Sequence, residues 1–334
     1  MADRKQINNQ IIIMDKQRAM LLVLAAMIPS FMMGTYIFGV EVPILTIVCA
    51  GSAMFFEWAY EKLTKKPSTV DDFSAIVTGA ILAFSLPSTF PLWMAVIGTF
   101  IAIVIVKQLG GELGRHVAGG RNNARNGAKN IINPAVTARI ALQLLFTEQI
   151  TTWPLNDFVR TADDSPEAAT GSTPLDLLAE GRDLPGLPRL FMGFISGPCG
   201  QVCAAAILIG GAFLIWKKVI SPVIPLSVIG AVFVFSFVYY SIQGDAGDGV
   251  YMALFHILAG GVLFGAVFCA TDPVTSPKST GARVVYGIGI GLITMLMRLW
   301  GPFPEGISAG IVLMNVAAPF LDRAAGSIKI KRES

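Results

Sequence analysis

Gly265-Ala266-Val267-Phe268-Cys269-Ala270-Thr271-Asp272-Pro273 is the stretch on which the fold turns. Its skeleton occurs once before, where Gly79-Ala80-Ile81-Leu82 runs to Ser85-Leu86-Pro87 with the same spacing. A second pair obeys nearly the same offset: Asn130 precedes Pro134 by four residues and Asn315 precedes Pro319 by four. The two pairs are displaced by 186 and 185 residues, and Arg139 and Arg323 follow the prolines at nearly matching distances. Two matches at almost one offset point to a duplication. Copies with an odd number of membrane segments point in opposite directions. That is the inverted-repeat plan, in which interrupted helices meet inside the bundle.

The segments around these stretches read as membrane. Of 334 residues 54% are hydrophobic and only 14% charged, which excludes an ordinary soluble domain. Apolar runs of spanning or near-spanning length cover 19–39, 42–63, 73–88, 91–108 and 131–146, then 193–216, 222–241, 250–271, 280–299 and 304–321. The expected fold is therefore an all-α polytopic membrane protein of ten transmembrane helices in two inverted five-helix repeats. Residues 1–18 form an N-terminal tail, 19–147 the first repeat, 148–190 a polar loop, 191–322 the second repeat and 323–334 a C-terminal tail. Runs 73–88 and 131–146 are short enough to be tilted, broken or re-entrant.

Orientation follows from lysine and arginine. With the N-terminus inside, the inner side collects Arg4, Lys5, Lys16, Arg18, Lys62, Lys65, Lys66, Lys107, Arg115, Arg121, Arg125 and Lys129. Lys217, Lys218, Lys278, Arg283, Arg323, Lys329, Lys331 and Arg332 join them. The outer side receives only Arg160, Arg182, Arg189 and Arg298, and Arg139 falls within a segment. Both termini are expected in the cytoplasm. The acidic 148–190 loop, with Asp157, Asp163, Asp164, Glu167, Asp176, Glu180 and Asp183, is expected outside.

Within that loop, Thr170-Gly171-Ser172-Thr173-Pro174-Leu175-Asp176 admits two readings. One is a helix start, with Thr173 as N-cap, Pro174 at N1 and Asp176 at N3. The other is an attachment site, where a hydroxyl beside free backbone N–H groups carries a phosphate. The two are compatible.

Elsewhere, proline interrupts three segments. Leu86-Pro87 ends the third, Asn133-Pro134 opens or breaks the fifth, and Asp272-Pro273 with Pro277 ends the eighth. Asp272 at such a break and Glu57 near the inner end of the second segment are costly carboxylates and candidate ion-pathway residues. The ordinary alternatives are a turn cap for Asp272 and an interfacial acid for Glu57. Gly261 and Gly265 form a GxxxG pair suited to close helix packing. Cys49, Cys199, Cys203 and Cys269 read as buried structural thiols, Cys199 and Cys203 sharing a helix face, because no CxxC pair occurs. His116 and His256 are too far apart to form a metal motif, and no metal site is expected. There is no dinucleotide-binding fingerprint.

These residues carry a resemblance. Thr170-Gly171-Ser172-Thr173 resembles the flavin-attachment motif Asp-x-x-Ser/Thr-Gly-Ala-Thr, with Glu167 in place of the Asp and Ser172 in place of the Ala. Ala270-Thr271-Asp272-Pro273-Val274-Thr275-Ser276-Pro277, Asn133-Pro134-Ala135 and Phe303-Pro304-Glu305-Gly306 are similar to signatures of the RnfD/NqrB family. The resemblance covers essentially the whole chain, which looks more like the shorter RnfD branch. It implies a urea-channel-like fold and a membrane subunit of an ion-translocating ferredoxin:NAD oxidoreductase, the Rnf complex, in a bacterial inner membrane. It implies FMN joined through its phosphate to Thr173, placed there by a separate flavin transferase. Non-covalent riboflavin, known from the longer NqrB branch, is a further cofactor that the residues themselves do not assign. The partners implied are the other Rnf subunits, the transferase and the lipid bilayer; nucleic acid is not expected. No complete activity is expected of the chain alone. A passive channel or solute transporter on the same fold is the alternative function, and a purely structural scaffold is a third.

Overall fold

The computed structural model describes residues 2–66, 68–112, 130–155, 170–244, 246–301 and 304–333. Readings that rest on Arg115, His116, Arg121, Arg125, Lys129, Asp157, Arg160, Asp163, Asp164, Glu167 or Phe303 lie outside the described residues. The described residues are predominantly helical, and their only sheet is a two-residue antiparallel pair, β1 (Trp153–Pro154) with β2 (Thr170–Gly171).

Six helices are long and apolar enough to cross a bilayer. They are Asp15–Phe38 within α1 (Ala2–Phe38), α2 (Glu41–Thr64), α4 with its continuation (Leu92–Glu112), α10 (Val223–Gln243), α13 (Thr280–Trp300) and Ile307–Ala325 within α14 (Ile307–Glu333). A seventh crossing is made if Asp248–Leu258, in α11 (Ala246–Leu258), and Val262–Cys269 count as one segment bent by 60°. Val262–Phe264 is α12, and Gly265–Cys269 continues it with π-helical winding. Three apolar helices are shorter: α3 (Ser74–Phe84), α5 (Pro134–Leu145) and α9 (Ala204–Trp216). Between the two sets of long helices lie three small ones, α6 (Thr147–Thr151), α7 (Pro174–Ala179) and α8 (Leu187–Met192). This is a polytopic membrane protein. Its outward faces are apolar, with Ile47, Leu144, Leu226 and Ile242 all largely exposed, as lipid-facing positions are. Lys62 lies over the Trp58 ring and Lys217 over the Trp216 ring, 4.7 and 4.3 Å from the centroids, where aromatic and cationic anchors mark helix ends.

Each apolar run of the sequence is helical at least in part, but two run differently from the expectation. The run 193–216 becomes helical only at Ala204, because Gly193, Gly197, Pro198 and Gly200 cannot hold a helix through 193–203. Cys199 and Cys203 therefore share no helix face: the Cys199 thiol donates to the Ala83 carbonyl at 3.3 Å, and Cys203 lies against Phe191. The run 250–271 bends at Gly260 and Gly261, whose φ angles of +64° and +69° suit glycine alone. The GxxxG reading fails for the same reason. Gly265 does permit close packing, since a Cβ there would stand 2.5 Å from Ile307 Cγ1, but Gly261 belongs to the turn and faces Gln201.

Where helices stop inside the bundle, their freed backbone groups find protein partners. The Leu86 and Phe84 carbonyls, at the end of α3, accept from the Cys199 and Gly200 amides at 3.1 Å each. Gln201 Nε2 donates to Ser85 Oγ at 2.8 Å. Asn133 caps α5, with Pro134 at N1, and its Nδ2 donates to the Cys269 carbonyl at 3.2 Å. Asn315 Oδ1 accepts from the Asn133 amide at 3.0 Å, and Asn315 Nδ2 donates to the Tyr286 hydroxyl at 2.6 Å. The irregular stretches of the two halves thus satisfy one another, as a chain without access to water requires.

Candidate functional site

Thr173 opens α7 as its N-cap, with Pro174 in the first turn. Its hydroxyl accepts from the Asp176 amide at 3.2 Å and donates to Asp176 Oδ2 at 2.7 Å, and the Thr173 amide donates to the same carboxylate at 3.0 Å. This is the capping box that the sequence spells out, worth about 1 kcal/mol for the cap alone. Only 9% of Thr173 is exposed, whereas Thr170 is exposed and Ser172 half-buried.

A cleft of about 410 Å³, open solvent included, lies beside this turn and is lined by Gly171, Ser172, Pro174, Arg182, Arg189, Phe194 and Ser196 among others. Gly171 forms part of its wall, where a Cβ would stand 2.7 Å from Ser196 Oγ and 2.8 Å from Leu155 Cδ1. Arg182, Arg189, Ser172 and Ser196 line this cleft next to the Thr173 cap, and Arg182 Nη1 pairs with Glu180 Oε2 at 3.3 Å. Arginines and serines beside a threonine at a helix start fit a phosphate-linked group; of the motif, Gly171 and Ser172 line the cleft, Thr170 precedes them in β2 and Thr173 follows as the cap of α7.

The two candidate carboxylates sit elsewhere. Glu57, on α2, is fully buried, and its Oε1 accepts from Lys107 Nζ at 2.7 Å and from Thr69 Oγ1 at 2.9 Å. Its Oε2 has no hydrogen-bond partner among the described residues. Lys107 also donates to Ser74 Oγ at 2.6 Å, and Thr69 bonds to Glu61, so two buried carboxylates share one cluster with a half-buried ammonium, the half-buried Ser74 hydroxyl and the exposed Thr69. Asp272 caps the turn after its own break: Oδ1 accepts from the Val274 amide at 3.0 Å and Oδ2 from Thr275 Oγ1 at 3.4 Å. Neither carboxylate approaches Thr173 by any hydrogen bond among the described residues, so the flavin-motif residues and the carboxylates form separate sites.

Sequence reasoning missed the partners. Lys107, Ser74 and Thr69 around Glu57 carry no motif, and only the cost of a buried acid hinted that a cation would be found. Arg139, inside its segment, forms an ion pair with Glu305 and donates to the Ser85 carbonyl at 3.1 Å. Arg298 donates to the carbonyls of His256 and Ala259 at 2.5 and 2.9 Å. His256 makes the local polar contact expected of it, with the Tyr240 hydroxyl at 3.2 Å. No cluster of three metal-ligating side chains occurs among the described residues.

Comparison with known proteins returns one family. The model of the NQR2, RnfD, RnfE family matches residues 13–331. The D-type subunit of the Na(+)-translocating ferredoxin:NAD(+) oxidoreductase complex of Acetobacterium woodii is 38% identical over 324 residues, covering 93% of this chain and 91% of that one. Its counterpart in the proton-translocating ferredoxin:NAD(+) oxidoreductase complex of Clostridium ljungdahlii is 33% identical over 322 residues, covering 92% and 89%. The counterpart in the ion-translocating oxidoreductase complex of Pseudomonas aeruginosa is 31% identical over 320 residues, covering 91% and 88%.

Proposed function

The chain belongs to the NQR2, RnfD, RnfE family, and on that premise we propose that it is the flavin-carrying RnfD-type membrane subunit of an Rnf-type complex. Such a complex couples electron transfer between ferredoxin and NAD to movement of Na⁺ or H⁺. The observation that carries the reading is full-length similarity to D-type subunits of complexes named for both ions, joined to a flavin-type motif whose last threonine caps α7 beside an arginine-lined cleft. The other Rnf subunits would supply the ferredoxin and NAD sites, since this chain has no fingerprint for either.

FMN, when esterified to Thr173, supplies electron-carrying chemistry that amino-acid side chains lack. The chain's own contribution is position. The capping box fixes Thr173, Arg182 and Arg189 offer charge to the phosphate, and Phe194 offers an apolar wall. A covalent link prevents loss of the group from an open cleft. Riboflavin remains a second flavin of this reading without a residue assigned. In the bundle, ten membrane segments in two inverted repeats account for the seven long or bent crossings together with α3, α5 and α9 as half-length pieces. The membrane is the bacterial inner membrane, with the Thr173 loop outside. Glu57 and Asp272 mark the ion path: among the described residues the buried Glu57 Oε2 has no hydrogen-bond partner, and Asp272 is an acid at a helix break.

The test is the flavin itself. Thr173→Val removes the nucleophilic oxygen at nearly constant volume. Wild-type protein made with its flavin transferase should fluoresce on a denaturing gel, and the variant should insert in the membrane but stay dark. Covalent flavin in the variant would move the site, Thr170 being the next hydroxyl. A dark wild type that conducts a solute would favour the passive channel.

A further inference from the structure

Arg139 and Arg298 perform one task in the two halves of the chain. Arg139, on α5 and 4% exposed, donates through Nε to the Ser85 carbonyl just past the end of α3. Arg298, in the last turn of α13, donates to the carbonyls of His256, Ala259 and Gly260, where α11 gives way to α12. These are carbonyls that a broken helix strips of their amide partners. Each guanidinium therefore plugs one helix break.

Glu305 joins the two plugs. Its carboxylate pairs with Arg139, and its carbonyl accepts from Arg298 Nε at 3.4 Å. The turn that carries it is held tightly: Gly306 has φ +63°, and a Cβ there would stand 2.6 Å from the Thr294 carbonyl. The Thr173 segment rests on the same place. Leu175 Cδ1 and Arg298 Nη2 both press on Gly260 so closely that a Cβ there would collide with each. A second cleft of about 370 Å³, open solvent included, is lined by Arg139, Glu305, Ser308 of α14 and Gln143 of α5, whose Oε1 accepts from Arg139 Nη1 at 3.1 Å.

We propose that Glu305 is a positioning residue that latches both helix breaks beneath the Thr173 loop, and that opening of the Arg139–Glu305 pair links charge at that loop to ion movement in the bundle. The proposal rests on the reading of Thr173 as the flavin site. A flavin held at Thr173 would supply the electron-carrying chemistry, with its electrons coming from and passing to partner proteins. Negative charge at that loop would compete with the Glu305 carboxylate for Arg139. A desolvated ion pair is either made or broken, so it is a two-state element that a distant charge can bias.

The test uses the whole complex in proteoliposomes. Glu305→Gln keeps shape and removes charge. It should retain covalent flavin and electron transfer, while ions moved per electron fall about tenfold. A merely structural role would lower flavin content, electron transfer and transport together. A second measurement keeps the charges intact. Gln143→Cys with Ser308→Cys, bridged by a short bis-maleimide, should stop ion transport and spare reduction of the flavin in a single turnover. An unchanged ion-to-electron ratio in Glu305→Gln, or undiminished transport in the bridged protein, overturns the latch. Absence of covalent flavin from the wild type would instead overturn the reading of Thr173, and the gel reports that separately.

Discussion

At the scale of single residues, a charge inside this bundle is tolerated only in company. Glu57 is fully buried, one of its oxygens has no hydrogen-bond partner among the described residues, and the Lys107 ammonium is its counter-ion. Replacing Lys107 by Met would leave an uncompensated carboxylate, a change that costs about 3–5 kcal/mol when a buried pair is broken. Lys107→Met should therefore lower the denaturation midpoint in detergent markedly. Adding Glu57→Gln to it should recover most of the loss, because the desolvated charge is then gone from both sides. Recovery in the double variant is the decisive measurement, since independent lesions would add. The Thr173 cap is legible in the sequence because every contact that makes it lies within four residues. The Lys107 partner is not, because 50 residues separate it from Glu57 and nothing local announces the meeting.

Elements in this protein are defined as much by where they stop as by where they run. Proline marks the end of α3 and the start of α5, and the sequence announces both. The break after α11 is made by Gly260-Gly261 instead, and an apolar count passes over it because glycine is ordinary in membrane helices. The unwound 193–203 stretch has the same disguise. What no local pattern shows is how the loose ends are satisfied, since Arg298 reaches Ala259 and Gly260 across 39 and 38 residues. Arg298→Met keeps most of the apolar stem but withdraws donors from four carbonyls, those of His256, Ala259, Gly260 and Glu305. Each buried group left unsatisfied costs about 1–3 kcal/mol. The variant is expected to unfold at several degrees lower temperature, and amide exchange should quicken around residues 256–264 first. Uniform loss of protection across all helices would show that the guanidinium does no local work at the break.

Over the whole molecule, contacts sort the helix ends as the charges do. Lys107 reaches Glu57 and Ser74, and Lys66 pairs with Glu112, so the end of α2, the start of α3 and the end of the Leu92–Glu112 helix share one end of the bundle. That is the lysine-rich end of the sequence. The Thr173 segment meets Gly260 and Arg298, the last turn of α13, whose first turn follows Lys278. Lysine and arginine resist transfer across the bacterial membrane, so the lysine-rich end should face the cytoplasm and the Thr173 loop the other side. Reporter fusions at residue 165 and at residue 334 should then give opposite signals, with alkaline phosphatase active at the first and a fluorescent protein bright at the second. The prediction depends on an odd number of crossings between the two points, and the five segments after residue 190 supply five if α9 with the unwound 193–203 stretch and the bent Asp248–Cys269 pair each complete a crossing. Matching signals at 165 and 334 would mean that one of these two turns back inside the bundle, and the Thr173 loop would then share a side with the C-terminus.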